Sequence, residues 1–423
     1  MIRLRFIETL LLFRGLIPCM SFLFVTRPLF PSVKLRQGDD DYIDEKDLGD
    51  WRNFRSTLVD RGISFDSVRV EEGYIDSDDD YTNNKNGSGT PSEIDASKGS
   101  SVKRPKSVSK ANEELLEQQS KDLAREYKDG VWAHSSSIAE VGGLVLRLPL
   151  EVELYRSSER NEIKISTNDV VVPLSVRYQK AQTLIKKEME VIAKLANERG
   201  EIDPTGLTIE SESLLNSYID NQQNWQEVCL VAERNVKNGS AKTYTLNRPM
   251  AFQLNDNLAK LLMFGAQITS MTNGRVPASE TDRYEKFLEA FEECAVYFGG
   301  PNLQDKPAVM VHGISDLDGA SELSPGVGLY LGGLDAAVRG ILEKKYQPLD
   351  FRFFVGCHVY RDSDLDFAIN SNKYQPIAAA RPLALKQCLQ LPKPLWHEVM
   401  ELCGGELREI SLLELKKRDD IQE

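Results

Sequence analysis

Four histidines are the side chains of this 423-residue chain best suited to move a proton near neutral pH. His312 precedes Gly313 at the end of an apolar run, and His358 follows Gly356-Cys357 at the end of another. If those runs are neighbouring strands, His312, Cys357, His358 and a carboxylate such as Asp316 could meet at one sheet edge, pairing a base with a thiol nucleophile. Residues adjacent in a strand point to opposite faces, however, so Cys357 and His358 can share a site only across a bulge. His134 and His397 read as surface or packing residues. Asn247-Arg248-Pro249 is a second candidate, because arginine can hold a carboxylate or phosphate bidentately while proline stiffens the turn. In its structural reading Arg248 pairs with a domain carboxylate and Asn247 caps the next turn. Gly299-Gly300-Pro301 could offer backbone N–H groups to an anion, but no Lys-Ser/Thr follows to complete a phosphate loop and Pro301 removes a donor. The candidate binding residues are therefore Asn247, Arg248, Gly299, Gly300, His312 and His358, and no catalytic constellation is complete. Cys19, Cys229, Cys294, Cys357, Cys388 and Cys403 are widely spaced without a C-x-x-C pair. That is neither a disulfide framework nor a zinc ribbon, so no metal and no cofactor is expected and the thiols read as free.

The elements that must position these residues are legible as periodicities. Residues 143–148 form an aliphatic run bounded by glycines and Pro149, a core strand, and residues 225–232 are a second strand. Tyr178, Leu184, Ile185, Ile192 and Leu195 recur at helical spacing over 177–199. A helix is expected over 281–298, carrying Phe287, Phe291, Cys294 and Ala295 inward. Strand 308–311 follows, then Leu329-Tyr330-Leu331-Gly332-Gly333, a helix with Leu334, Val338, Ile341 and Leu342 on one face, and strand 351–355. A last helix bears Trp396, Met400 and Cys403 and ends at Gly404-Gly405. Strands and helices alternate too irregularly for a doubly wound sheet, so an α+β fold with a mixed sheet and flanking helices is expected.

Composition divides the rest. Residues 1–36 carry six basic residues against Glu8 alone, in apolar runs too interrupted to span a membrane, and read as a presequence. An acidic segment over 37–75 places Trp51, Phe54 and Leu58 on one stripe of a short docking helix. Residues 76–112, nearly all Ser, Asp, Asn, Gly and Lys, read as a disordered linker, followed by a charged helix over about 112–128. The main domain is expected over 131–412, with a charged tail over 413–423. The formal charge is −13, yet residues 225–412 hold 19 basic and 23 acidic residues, nearly neutral and without a basic stripe. Direct nucleic-acid binding has little to work with there.

Several segments, in order, resemble the YqgE/AlgH family. They are 143–149, 226–233, Leu246-Asn247-Arg248-Pro249, Tyr297-Phe298-Gly299-Gly300-Pro301, Val311-His312-Gly313, Leu329-Tyr330-Leu331-Gly332-Gly333 and 351–356. Leu395-Trp396-His397-Glu398, with Gly404-Gly405 beyond, and Asp50-Trp51-Arg52 look like plant plastid members in particular. The resemblance implies an α+β fold with a bent, partly bifurcated sheet folded towards a pseudo-barrel, and a family of largely unassigned function. It also makes residues 151–224 an insertion, where relatives have a short link. The family's Gly-Tyr-Ala-Gly-Trp segment is represented here by Gly356-Cys357-His358-Val359-Tyr360, which puts any binding role of that segment in doubt. The function expected is that of a non-enzymatic binding or regulatory protein of the plastid. The alternatives are a small-molecule enzyme using His312 and Cys357 or His358, and a transcription-linked regulator without direct DNA contact. The partner is an unspecified protein or small anionic ligand, the oligomeric state stays open, and secretory or cytoplasmic placement competes with the plastid.

Overall fold

The computed structural model describes residues 110–161, 172–195, 206–266, 268, 275–389, 391 and 393–417. The presequence, the docking helix and residues 76–109 of the linker lie outside the described residues. In chain order the strands are β1 (Ala133–Ser135), β2 (Leu144–Arg147), β3 (Val228–Asn235), β4 (Ser240–Thr245), β5 (Pro249–Gln253), β6 (Glu293–Phe298), β7 (Val309–His312), β8 (Ala320–Glu322), β9 (Tyr330–Gly332), β10 (Phe351–Val355), β11 (His358–Tyr360) and β12 (Tyr374–Ala379).

They form two six-stranded sheets. The first, in the order β1-β12-β2-β3-β4-β11, is antiparallel throughout. The second, β5-β6-β10-β7-β9-β8, is mixed, with β6 and β10 parallel. The fold is α+β as expected, with the bifurcation complete: two sheets share one core and do not close into a barrel. Leu146, Leu230, Tyr244 and Ile377 enter that core from the first sheet and Tyr297, Val311 and Phe354 from the second. The helix Leu395–Cys403 contributes Trp396, whose indole N–H donates to the Arg147 carbonyl at 2.9 Å. Helices Asp256–Phe264, Thr281–Ala290 and Leu334–Leu342 cover the far face of the second sheet, and the helix Asp364–Asn370 covers that of the first. The described residues of 151–224 form the helices Leu150–Asn161, Leu174–Lys194 and Ile209–Gln223, with a small core of their own made by Leu150, Ile185, Met189, Ile192 and Leu215.

Four expectations are corrected. The helix over 281–298 stops at Ala290, and residues 293–298 are β6, a central strand buried on both faces. Such a strand is a continuous apolar run, which periodicity cannot tell from a buried helix. The charged helix over 112–128 is two, Lys110–Gln119 and Lys121–Gly130, divided at Ser120, whose hydroxyl caps the second. The linker boundary therefore falls before Lys110, and Asn112 is buried, donating to Glu398 at 3.1 Å. After Gly404 the chain resumes helix over Gly405–Leu415, so the start of the charged tail is helical, with Glu414 buried against the Tyr178 hydroxyl. Glu398 also accepts from Tyr127 and Lys386, which gives a fully buried carboxylate and ammonium the partners they need and fastens the first helices to the domain.

The chain passes from the second sheet to the first between β10 and β11. There Gly299 N donates to the Val355 carbonyl at 2.8 Å, and Asn302 and Cys357 exchange two backbone bonds of 2.9 Å. A Cβ at Gly356 (φ +72°) would lie 2.3 Å from the Gly300 carbonyl oxygen, and one at Gly299 2.3 Å from that of Gly356. The backbones touch where side chains would be. Gly356→Ala is expected to cost about 2–4 kcal/mol in chemical denaturation, from left-handed backbone strain plus the clash. Gly326→Ala, at φ +84° with open space around it, is expected to cost only the strain, about 1 kcal/mol.

Candidate functional site

Glu227 is aimed into the outer face of the first sheet by the backbone on either side of it. Gln226 takes a left-handed φ of 52°, uncommon for a residue with a Cβ. The Asn247 side chain then clasps the flanking peptides, accepting from Val228 N at 3.0 Å and donating to the Gln226 carbonyl at 2.8 Å. Side chains two apart on a strand share a face, so Glu227 and Cys229 point the same way, as do Thr243 with Thr245 and His358 with Tyr360. Register brings them together: Cys229 lies opposite Thr245, and His358 opposite Thr243.

The result is a buried polar cluster under the helix Asp364–Asn370. His358 Nε2 lies 3.0 Å from Glu227 Oε1 and 3.2 Å from the Thr245 hydroxyl, which itself donates to Glu227 Oε1 at 2.6 Å. Nε2 therefore carries the proton that both oxygens share. The Tyr374 hydroxyl donates to Glu227 Oε2 at 3.1 Å, and the Arg147 guanidinium lies over the Tyr374 ring, 5.4 Å from its centroid. Cys229 Sγ is 3.5 Å from the Thr245 hydroxyl. The Glu227 side chain is only 5% exposed and that of His358 13%. Burial opposes the charge on Glu227, but His358, Arg248 and the Thr245 hydroxyl outweigh it and hold the carboxyl down at about 2. Burial and then the Glu227 charge push the Cys229 thiol well above its usual value. Burial likewise raises the Tyr374 and Tyr360 hydroxyls, with Glu227 adding to both. The Thr243 hydroxyl is fully buried between the Cys229 thiol and the Tyr360 hydroxyl and engages both. Glu227, Cys229 and His358 each present one donor atom, all within 4.8 Å of one another, a set that could hold a metal ion.

Of the six residues singled out in the sequence, the structure gathers five around Glu227. Asn247 clasps its flanking peptides, while Arg248 hydrogen-bonds the Trp225 carbonyl and lends Glu227 its positive field. Gly299 accepts from Thr245 N at 3.0 Å, and Gly300 packs on the Cys357–His358 peptide, so both glycines work by close approach. His312 stands apart in the second sheet. Its Nε2 donates to the Gly332 carbonyl and its Nδ1 accepts from Ile314 N, both at 3.2 Å. Asp316 pairs with Lys345 instead, and Cys357 turns into the shared core, its thiol pushed up by burial. The sequence reading passed over Glu227, Cys229, Thr245 and Tyr374. The signal was present in the alternation Glu227-x-Cys229 and Thr243-x-Thr245, which sets polar groups where a half-buried strand ordinarily repeats apolar ones.

Residues 214–408 match the family model described as AlgH-like. Over that span, somewhat under half of the chain, the sequence is similar to the AlgH-like family. The solution structure of the AlgH protein from Pseudomonas aeruginosa is similar at 19% identity, covering 46% of this chain and 86% of that one with a TM-score of 0.29. A crystal structure of a protein from Corynebacterium diphtheriae is similar at 18% identity, covering 44% and 82%, with a TM-score of 0.27. No curated protein matches the chain significantly.

Burial alone depresses His312 to about 4, only partly offset by the Gly332 carbonyl, so it is neutral in the folded protein and protonation at Nδ1 would break the Ile314 bond. Its folded value lies below the ordinary 6.5, so its contribution is complete above pH 6.5 and is lost as pH falls towards 4. Chemical denaturation across that window is expected to show a slope worth on the order of 3 kcal/mol that His312→Gln removes. Parallel wild-type and variant curves would contradict it.

Proposed function

We propose that this is a non-enzymatic binding or regulatory protein of the plastid. One observation carries the first part: the candidate bases His312 and His358 are already engaged and the described thiols are raised by burial, while, among the described residues, the exposed His134 only stacks on Trp132. His312 is held neutral with both ring nitrogens bonded to backbone, and His358 is committed to Glu227 and Thr245. Burial raises the Cys229, Cys294, Cys357, Cys388 and Cys403 thiols, the opposite of what a nucleophilic cysteine needs. Recognition rather than bond-making is then the task of the fold. The partner is a protein or small anionic ligand met at Arg248, which is half-exposed and, among the described residues, forms no ion pair. Its guanidinium is suited to a carboxylate or phosphate. The near-neutral charge of residues 225–412 speaks against direct contact with nucleic acid.

Alkylation of Cys357 across pH, followed by peptide mass spectrometry, tests the non-enzymatic reading. Labelling is expected to be slow at neutral pH and to rise only above 9.0, the ordinary value from which burial raises this thiol. Rapid labelling at pH 7 would favour the enzyme. Plastid placement rests on the basic, acid-poor residues 1–36. A fluorescent reporter fused behind residues 1–40 is expected to accumulate in plastids; a uniform cytosolic signal would sink that part of the reading.

A further inference from the structure

We propose that Glu227, Cys229 and His358 form a binding site for a divalent transition-metal ion, zinc by preference. The donors are a carboxylate oxygen and a thiol sulfur from the start of β3 and an imidazole nitrogen from β11, two strands of the first sheet with β4 between them, all within 4.8 Å of one another. Four-coordinate zinc with bonds of 2.0–2.3 Å sets its ligand atoms roughly 3.3–3.6 Å apart. The separations present are 3.0 Å from His358 Nε2 to Glu227 Oε1, 3.2 Å from Nε2 to the Thr245 hydroxyl and 3.5 Å from that hydroxyl to Cys229 Sγ, whereas the hydroxyl lies only 2.6 Å from Glu227 Oε1 and must draw back as the ion enters. The Thr245 oxygen thus lies within hydrogen-bonding reach of all three donors. The fourth position falls to that hydroxyl or to a water that displaces it. A mixed nitrogen, sulfur and oxygen set suits zinc better than calcium or magnesium, which prefer oxygen alone.

Two surrounding features fit an ion. The Tyr374 hydroxyl holds Oε2, the second oxygen of Glu227, as outer partners of a ligating carboxylate do. The Asn247 clasp fixes the peptides on either side of Glu227, so the carboxylate is oriented before anything binds. With its charge held by His358, Arg248 and Thr245, Glu227 is already ionised and needs to lose no proton to serve as a ligand. Access is short, because β11, which carries His358, is the edge strand of its sheet.

Binding is linked to protons. The Cys229 thiol loses its proton to become a thiolate, and the proton now on His358 Nε2 moves to Nδ1 or leaves with it, so affinity rises with pH. The ion would tie β3 to β11 across β4 and thereby brace the edge strand.

The test is titration of the full chain, stripped with chelator, with cobalt(II) alone. About one ion per chain is expected, with a thiolate-to-cobalt charge-transfer band in the near ultraviolet that zinc abolishes. Cys229→Ser should lose that band while keeping its circular dichroism. In the wild type, zinc should also slow alkylation of Cys229, mapped by mass spectrometry, without slowing that of Cys403. That second readout decides the matter if the variant does not fold. Absence of the band in the wild type, its persistence in folded Cys229→Ser, or unchanged alkylation of Cys229 in zinc would each overturn the proposal.

Discussion

The constraint on which the rest of the structure depends is the crossing of the chain between its two sheets at Gly356. The strand β10 belongs to the second sheet and β11 to the first, with two residues between them. A crossing that short requires the backbone of 356–357 to lie against that of 299–302, and Gly299, Gly300 and Gly356 leave room for it. The same contact sets the start of β11, and so decides which side of the first sheet His358 faces. A shift of one residue would send His358 into the shared core and Cys357 onto Glu227.

Buried charge is dealt with differently in different parts of the molecule. Glu398 is surrounded by Lys386, Tyr127 and Asn112, a closed set that fastens the first helices to the domain. Arg352, also fully buried, meets no carboxylate among the described residues; it donates to the Ala384 and Leu246 carbonyls and lies over the Tyr297 ring. Both arrangements brace packing between elements. At Glu227 the partners come from β11, from β12 and from the adjoining β4, and with Cys229 and His358 it presents three metal-ligating atoms within 4.8 Å of one another. Glu227 is therefore the buried charge whose surroundings point to function.

The sequence made some of this legible and hid the rest for physical reasons. Glycine pairs flanked by apolar runs mark where the chain must turn or touch, so Gly299-Gly300 and Gly332-Gly333 were visible, as were the strands at 144–147 and 351–355. The segment 293–298 was not, because a strand buried on both faces has no alternation to read. Asn247, Arg248 and His358 stood out by residue type. Glu227 did not, since its meaning comes from contacts with His358 and Tyr374, which are 131 and 147 residues away. His312 stood out equally and proved to be a packing residue in the other sheet, because a strand-end histidine looks the same whether its ring meets a carboxylate or a backbone carbonyl.

The central claim is that the crossing delivers His358 to Glu227 as a coupled, buried pair. A double-mutant cycle on Glu227→Gln and His358→Ala, by chemical denaturation of chelator-treated protein, measures that coupling directly. A coupling of about 2 kcal/mol or more is expected, since each single change leaves the other group buried without its partner. Single changes that add to within about 0.5 kcal/mol would contradict the account.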